Sequence, residues 1–263
     1  MNYAPMADVA APRTEDVSED GFLGGRLLLR QLRSGHRAGH DAILLAASTK
    51  VQSGNRVVEF GSGVGAAGLA LARRVQPLDL VLVEIDPQLA ALARSNAEAN
   101  GLSAQVLLLD VCGGSDSFVA AGLPPDSVDA VLMNPPFNHP GRHRASPDPK
   151  RSIAHVAEAS TLEVWLHAAR RVLKSGGMLT LIWRADGLAE VLAALGRGFG
   201  SVAVQPVHGN AGGPAIRVLV RAVKGGRAPL AIWPGLELNT ASQTQSEFVQ
   251  AVLAGADVLP LAK

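Results

Sequence analysis

The glycine-rich segment at residues 61–68 constrains the fold more than any other part of the sequence. It follows a short apolar run at residues 56–60 and precedes a stretch rich in Ala and Leu. This order predicts a strand, a tight turn and a helix, in which residues without side chains let the backbone approach a bound nucleoside closely. Gly63, Gly65 and Gly68 also fit the spacing Gly-x-Gly-x-x-Gly. A nicotinamide cofactor and a loop without any ligand are therefore open alternatives.

The alternation of strand and helix extends over most of the chain. Seven apolar, β-prone runs cover residues 56–60, 80–85, 105–109, 127–133, 178–183, 201–207 and 215–223. Predicted helices follow the first, second, fourth and fifth runs, which is typical of an α/β protein with a mostly parallel sheet. A glycine-rich connection joins the last two runs, so we predict that they form an antiparallel hairpin.

Acidic residues follow the second and third predicted strands. Glu84 comes about 20 residues after the glycines, where a carboxylate would bind the hydroxyls of a ribose. Asp86 precedes Pro87 and is better placed to cap the next helix. Asp110 ends the following strand, where it could accept a hydrogen bond from the amino group of an adenine. The alternative for Asp110 is a solvent-exposed loop acid.

Asn134-Pro135-Pro136-Phe137 follows the fourth predicted strand. The two prolines end the strand and fix the backbone, so Asn134 lies at its carboxyl end in one arrangement. An amide, backbone carbonyls and an aromatic ring then converge where open α/β sheets bind ligands. The alternative is an ordinary strand-ending turn. A dehydrogenase has no need for a rigid amide beside an aromatic ring, so the joint pattern argues against a nicotinamide cofactor.

A long segment at residues 139–151 is rich in proline and positively charged. Loops of this length within a compact domain are usually functional or mobile. We predict that its basic side chains contact phosphates, with a solvated surface loop as the alternative. These side chains are Arg142, Arg144, Lys150 and Arg151. The nearby histidines have no carboxylate or cysteine at ligand spacing, so no metal site is predicted.

Composition limits the number of domains and the compartment. The chain has 263 residues, of which 48% are hydrophobic and 18% charged, as expected for one α/β domain with additions. We predict a disordered tail at residues 1–19, a main domain at 20–224 that includes a β-hairpin at 22–32, and an extension at 225–263 packed on the same domain.

The single cysteine, Cys112, excludes an internal disulfide and fits a reducing compartment. No apolar run approaches the roughly 18 residues of a membrane span, and no signal pattern is present, so we predict a cytoplasmic protein.

Taken together, these features resemble the class I, S-adenosylmethionine-dependent methyltransferases that carry an Asn/Asp-Pro-Pro-Tyr/Phe motif. Within that group, three segments look like the bacterial valine-tRNA adenine-N(6) methyltransferases: residues 20–25, residues 35–45 and the Ser146-Pro147-Asp148-Pro149 end of the basic segment. The resemblance covers about residues 20 to 240. Phe137 stands where better-known members often have Tyr, and His40 stands where a small residue is usual.

This resemblance implies a seven-stranded, Rossmann-like sheet and S-adenosylmethionine as cofactor. It also implies that the Asn134 side chain and the Pro135 carbonyl accept the hydrogens of an adenine amine, while Phe137 stacks on the base. The implied substrate is RNA, specifically an anticodon-loop adenosine of tRNA, bound by the four basic residues named above. The implied cofactor contacts are Asp41, Glu59, Gly61, Gly63, Gly65, Glu84, Ile85, Asp110, Val111 and Asn134.

Other methyl acceptors fit the same motif. A guanine amine of ribosomal RNA and a glutamine side-chain amide of a protein are both alternatives, and a domain that binds cofactor or RNA without turnover is a third. The sequence makes no prediction about oligomeric state.

Overall fold

The computed structural model describes residues 16–35, 37–136, 150–196 and 198–263, with the backbone alone for residues 150–160. The strands are β1 (Val17–Phe22), β2 (Leu27–Leu32), β3 (Arg56–Phe60), β4 (Asp79–Glu84), β5 (Gln105–Leu108), β6 (Val128–Met133), β7 (Leu173–Arg184), β8 (Phe199–Asn210), β9 (Ala215–Lys224), β10 (Ala231–Ile232) and β11 (Leu236–Asn239). The helices are α1 (His40–Ser48), α2 (Ala66–Arg74), α3 (Pro87–Ala99), α4 (Ser115–Ala120), α5 (Lys150–Val172), α6 (Leu188–Leu195) and α7 (Glu247–Leu253). Short 3-10 helices lie at Ala185–Gly187 and Pro260–Ala262.

The main sheet has the strand order β10-β8-β9-β7-β6-β3-β4-β5. β3 to β7 are parallel, and β9 runs antiparallel to both β7 and β8. The predicted class I methyltransferase fold, with its antiparallel last hairpin, is therefore confirmed. The seven predicted strands are all present, and the short strands β10 and β11 both pair in parallel with β8.

Register brings the ends of three central strands together. Phe60 of β3 pairs with Met133 of β6 on one side and with Val83 of β4 on the other. Gly61, Glu84 and Asn134 each come one residue after these paired positions. Because the three strands are parallel, these residues share the carboxyl edge of the sheet, where open α/β sheets bind ligands.

Apolar residues alternate between the two faces of the sheet and are buried on both. Val57 belongs to a core cluster that includes residues of α1, α2, α3, the N-terminal hairpin and the C-terminal region, whereas Val58 belongs to a second cluster that includes residues of α5 and α6. A strand that is covered on both faces needs apolar residues at nearly every position. This explains why β3, β4 and β6 appear in the sequence as continuous apolar runs.

The N-terminal hairpin, β1 with β2, forms a separate two-stranded sheet, as predicted. Its first strand begins at Val17, so the boundary of the predicted tail at residue 19 is wrong by three residues. A side chain of α3 and the side chain of its C-cap residue hold the hairpin in place. The Asn100 amide bonds to both main-chain groups of Leu28, and the Asn96 amide bonds to both main-chain groups of Arg30.

Other differences from the sequence predictions concern local boundaries. Lys150 and Arg151 belong to the first turn of α5 and not to a loop. The helix α4 was not predicted. Of the three tryptophans, Trp165 and Trp183 are buried, whereas Trp233 is 38% exposed.

The residues after Lys224 contact the main domain through backbone and side chains. Leu259 donates its N–H to the Ala47 carbonyl at 2.9 Å, and Arg221 of β9 donates to the Leu261 carbonyl at 2.6 Å. Within the described ranges, no helix is both long and apolar enough to cross a membrane. The same residues contain no group of three His, Cys, Asp or Glu side chains that could hold a metal ion.

Candidate cofactor and substrate site

A cavity of about 320 Å³ opens at the carboxyl edge of β3 and β6. The start of α1, the glycine-rich loop and Asn134 form its wall. Five of the predicted site residues line it, namely Asp41, Glu59, Gly61, Gly63 and Asn134. Arg37, His40 and Ser62 line it as well. The cavity thus joins the predicted cofactor loop to the predicted catalytic amide.

The glycine-rich loop needs glycine at two positions for different reasons. Gly61 has φ of +64°, and a Cβ there would lie 2.5 Å from Cη2 of Trp165, so both backbone strain and overlap exclude a side chain. Gly63 has φ of +56°, and its Cβ position meets no atom within 4 Å. The backbone at Gly63 is therefore open to a ligand. Gly65 has φ of +84° and is the N-cap of α2.

Glu84 is buried, and backbone N–H groups hold its carboxylate. Oε2 accepts from Gly63 at 2.7 Å, while Oε1 accepts from Ile85 and Asp86, both at 2.9 Å. A carboxylate has about four acceptor sites, so one remains on Oε2 after these three bonds. The residue thus positions the glycine-rich loop and can still accept a hydrogen bond from a hydroxyl.

Glu59 is a second buried carboxyl group at the same edge. Its Oε2 accepts from the N–H of Gly68 at 2.7 Å, which fixes the first turn of α2. Burial raises the pKa of Glu59 to about 8; the Gly68 hydrogen bond opposes this shift, and the negative charge of Glu84 adds to it. Near neutral pH the group is therefore mostly protonated. Glu59 lines the cavity as a neutral acid whose main contact is with the loop.

The side-chain oxygen of Asn134 is a hydrogen-bond acceptor to which no described residue donates. Its Oδ1 is buried and accepts no hydrogen bond from any described residue, and the same holds for Oγ of the neighbouring Ser62. A buried acceptor without a partner costs on the order of 1 to 3 kcal/mol, so such groups are rare unless a ligand satisfies them. Pro135, which follows, is buried.

Asp41 reaches the cavity from the first turn of α1. Its Oδ2 accepts from Nε of Arg217 on β9 at 2.9 Å, forming an ion pair between a helix and a strand. Sequence reasoning did not single out Arg217. The two residues are 176 positions apart, and no local pattern marks such a pair.

The other predicted cofactor residues are not among those that line the cavity: Gly65 and Glu84, described above, and Ile85, Asp110 and Val111, which follow β4 and β5. Ile85 is 63% exposed, and Val111 is buried. Asp110 accepts a hydrogen bond from the N–H of Cys112 at 2.8 Å, which caps the turn after β5. Their contacts with a cofactor stay predictions. Phe137, Arg142 and Arg144 lie outside the described residues, and only the backbone of Lys150 and Arg151 is described.

Comparisons with known proteins identify the family. The methyltransferase small domain model matches residues 34–209. The tRNA1(Val) (adenine(37)-N6)-methyltransferase of Erwinia tasmaniensis is 30% identical over 212 residues, which cover 80% of this chain and 84% of that protein. The ribosomal RNA small subunit methyltransferase C of Pseudomonas syringae is 35% identical over 185 residues, 69% of this chain and 48% of the relative.

A solved structure agrees with the sequence matches. The crystal structure of a predicted O-methyltransferase from Agrobacterium tumefaciens aligns with a TM-score of 0.70 and 31% identity, covering 83% of this chain and 98% of that one. The fold and the site therefore define an S-adenosylmethionine-dependent N-methyltransferase. More particularly, the chain belongs to the methyltransferase small domain family.

The residues of the cavity fit S-adenosylmethionine, the cofactor of this class. The volume of about 320 Å³ is at the lower end of typical small-molecule sites. The open backbone at Gly63 admits a nucleoside, and the buried hydroxyl of Ser62 has no hydrogen-bond partner among the described residues.

Proposed function

We propose that this protein methylates the exocyclic amino group of an adenine in tRNA, at an adenosine of the anticodon loop. The observation that carries the proposal is the buried, unsatisfied Oδ1 of Asn134 on the wall of the cofactor cavity. An amine hydrogen of a base is a donor that would satisfy it. The resemblance of this chain to the Erwinia tasmaniensis enzyme supports adenine of tRNA as the acceptor.

The chain's part in the reaction is to orient the amine. The lone pair of an adenine amine is delocalised into the ring, so the nitrogen is a weak nucleophile until it becomes pyramidal. Hydrogen bonds from the amine to Asn134 Oδ1 and to the Pro135 carbonyl would favour that geometry. S-adenosylmethionine supplies the methyl group on a sulfonium. No strong base is needed, because the nitrogen loses its proton after the transfer, and the acceleration comes from positioning and electrostatics.

The cofactor is held at the glycine-rich loop. The backbone of Gly61, Gly63 and Gly65 approaches the nucleoside, and Glu84 accepts from the ribose through the acceptor site that its three backbone bonds leave. Asp110 and Val111 bind the adenine of the cofactor beside Ile85. Asp41 and Glu59 complete the wall of the site.

The substrate is bound by residues that follow Asn134 in the sequence. Phe137 stacks on the target base after it leaves its stack in the loop, because a base within a stack cannot present its amine to a recessed site. Arg142, Arg144, Lys150 and Arg151 contact phosphates of the tRNA backbone. A localisation in the cytoplasm follows from such a substrate.

A guanine amine of 16S ribosomal RNA is the second candidate. The 35% identity to the Pseudomonas syringae enzyme favours it, since that relative is named as a methyltransferase of the small ribosomal subunit RNA. The same Asn134 acceptor would serve a guanine amine, so the amide alone does not discriminate between the two bases.

Methyl transfer from labelled S-adenosylmethionine tests the proposal. The acceptors are an unmodified tRNA with adenosine just 3′ of its anticodon, the same tRNA with guanosine at that position, 16S ribosomal RNA, and a ribosomal and release-factor protein fraction. We expect label only in the adenosine tRNA. Equal label in both tRNAs, or label only in ribosomal RNA or protein, would overturn the adenine assignment.

A further inference from the structure

Arg217 joins the sheet to the candidate cofactor site. Its Nε donates to Oδ2 of Asp41 at 2.9 Å, and its Nη1 donates to the carbonyl of Ile216 at 3.0 Å. Both charged side chains are partly buried, with exposed fractions of 28% and 30%. The guanidinium is thus held by its own strand while it holds an acid of α1. The position of the Asp41 carboxylate is set by β9 as well as by its own helix.

A second arginine lies next to Arg217 and forms ion pairs with other acids. Arg184 of β7 lies directly opposite Arg217 in the antiparallel pair β7–β9, so the two side chains share one face of the sheet. Arg184 has acids of its own, Asp186 at 3.2 Å and Glu190 at 3.6 Å. Like charges directly opposite each other are unfavourable. Asp41 therefore supplies a negative charge that compensates Arg217 at this position.

Among the described residues, two carboxyl groups line the cavity, Asp41 and Glu59. Glu59 is mostly protonated near neutral pH, because burial raises its pKa to about 8, and its Oε2 is engaged by Gly68. Asp41 is the acid with a cationic partner, and a carboxylate has about four acceptor sites, so the bond to Arg217 leaves others. S-adenosylmethionine carries an ammonium group at its methionine end, which requires such an acceptor.

We propose that Arg217 is a positioning residue that holds the carboxylate of Asp41 to accept hydrogen bonds from the α-ammonium group of S-adenosylmethionine. The inference rests on the placement of Asp41 in the proposed cofactor site. It does not depend on which molecule receives the methyl group, because cofactor binding can be measured without RNA.

The test compares two ligands that differ only at the ammonium group. Calorimetry without RNA gives the affinities for S-adenosylhomocysteine and for its analogue that lacks the α-amino group. We expect Arg217→Met to weaken binding of S-adenosylhomocysteine on the order of tenfold, the effect of one charge-assisted hydrogen bond. The affinity for the deaminated analogue should stay unchanged. Asp41→Asn should show the same selective loss.

Two further variants distinguish a positioning role of Arg217 from a general disruption of the protein structure. Arg217→Lys keeps the charge and should restore part of the affinity for S-adenosylhomocysteine. Arg221→Met changes an arginine four residues along the same strand, whose bond is to Leu261, and should leave both affinities unchanged. If Arg217→Met does not fold at the assay temperature, the two ligands are compared with Arg217→Lys and Asp41→Asn instead.

Equal loss of both ligands would overturn the proposal, since Arg217 would then act on the carboxylate of the cofactor or on the whole site. Unchanged binding of both ligands in a folded Arg217→Met variant would overturn it as well. Neither result would affect the proposed transfer to tRNA, which is read from labelled RNA.

Discussion

Asn134 and Glu59 are polar groups at one cavity that serve different purposes. The Asn134 oxygen is buried and has no donor among the described residues, which is unfavourable in the free protein and useful once an amine arrives. The Glu59 carboxyl group is bonded to the backbone and carries a proton near neutral pH because of its burial. The first group is expected to control turnover and the second to control how stability depends on pH.

We expect Asn134→Ala to keep cofactor affinity and to lose methyl transfer. Removing one preorganised polar group typically lowers turnover about 100 to 1,000-fold. Because no described residue donates to the lost oxygen, the unfolding midpoint should not fall. Labelled transfer, calorimetry and thermal unfolding measure the three quantities. Asn100→Ala is the matched control, because Asn100 does not line the cavity, and this variant should keep its turnover. Near-normal turnover in Asn134→Ala would refute the mechanism.

Glu59→Gln should flatten the pH dependence of stability. The pKa of Glu59 is about 8 in the folded protein against 4.5 for the ordinary group, so between these values the native state holds a proton that the unfolded chain has lost. The free energy of unfolding therefore decreases as pH rises from 4.5 to 8, by at most about 1.4 kcal/mol per pH unit. Above pH 8 this contribution is constant.

Urea unfolding at several pH values checks this expectation for Glu59. Glu98→Gln is the control, since Glu98 is exposed on α3. This variant should show the same change of the free energy of unfolding with pH as the wild type. A Glu59→Gln protein with the wild-type slope would show that another group titrates in this window.

The N-terminal hairpin illustrates how one element is attached to another by side-chain amides. Asn96 of α3 and Asn100, the C-cap of that helix, are four residues apart, so they point to the same side. Each bonds to both the N–H and the carbonyl of one residue of β2, in the manner of a neighbouring strand. Asn96 also donates to the carbonyl of Val64, at 3.0 Å, and so connects the hairpin to the glycine-rich loop.

We expect Asn96→Ala to lower the free energy of unfolding by about 2 to 3 kcal/mol, because buried backbone groups lose their partners. Asn100→Ala should lower it by about 1 kcal/mol or less, since its bonds to β2 are exposed. Denaturant unfolding measures both values. Hydrogen exchange should show faster exchange at Arg30 in the first variant and at Leu28 in the second. Equal effects of the two substitutions would contradict this assignment of roles.

Over the whole molecule, the net charge is only +1, so attraction to RNA has to come from local clusters of charge. The basic segment that ends at the start of α5 is the proposed cluster. Each phosphate contact releases counterions, so affinity for RNA must fall steeply as salt concentration rises.

Neutralising Lys150 and Arg151 together should weaken RNA binding about equally for all sequences, because phosphate contacts do not read bases. The slope of log affinity against log salt should decrease in magnitude by on the order of 1 to 2. Binding of fluorescent tRNA at several salt concentrations gives the slope. Replacing Lys50, which lies near the carboxyl terminus and donates to Lys263, is the control. An unchanged slope in the double variant would remove these residues from the interface.

The sequence by itself determined the elements, their order and the residues at the carboxyl ends of the strands. Strands covered on both faces are continuous apolar runs, and glycines and prolines mark where they end, so Gly61, Glu84 and Asn134 could be assigned to one edge. These signals are local, which is why they can be read without knowing the neighbours. The start of β1 was placed too late because its residues, Val-Ser-Glu-Asp-Gly-Phe, are mostly polar and show no clear alternation of polar and apolar side chains.

Only the tertiary structure decided which distant residues complete the site. The bond between Arg217 and Asp41 spans 176 residues, and that between Asn96 and Arg30 spans 66. The burial that raises the pKa of Glu59 and the contact of Trp165 with Gly61 likewise depend on helices packed from elsewhere in the chain. Such contacts leave no periodic trace in the sequence, since they arise when sheet order and helix packing bring separate segments together.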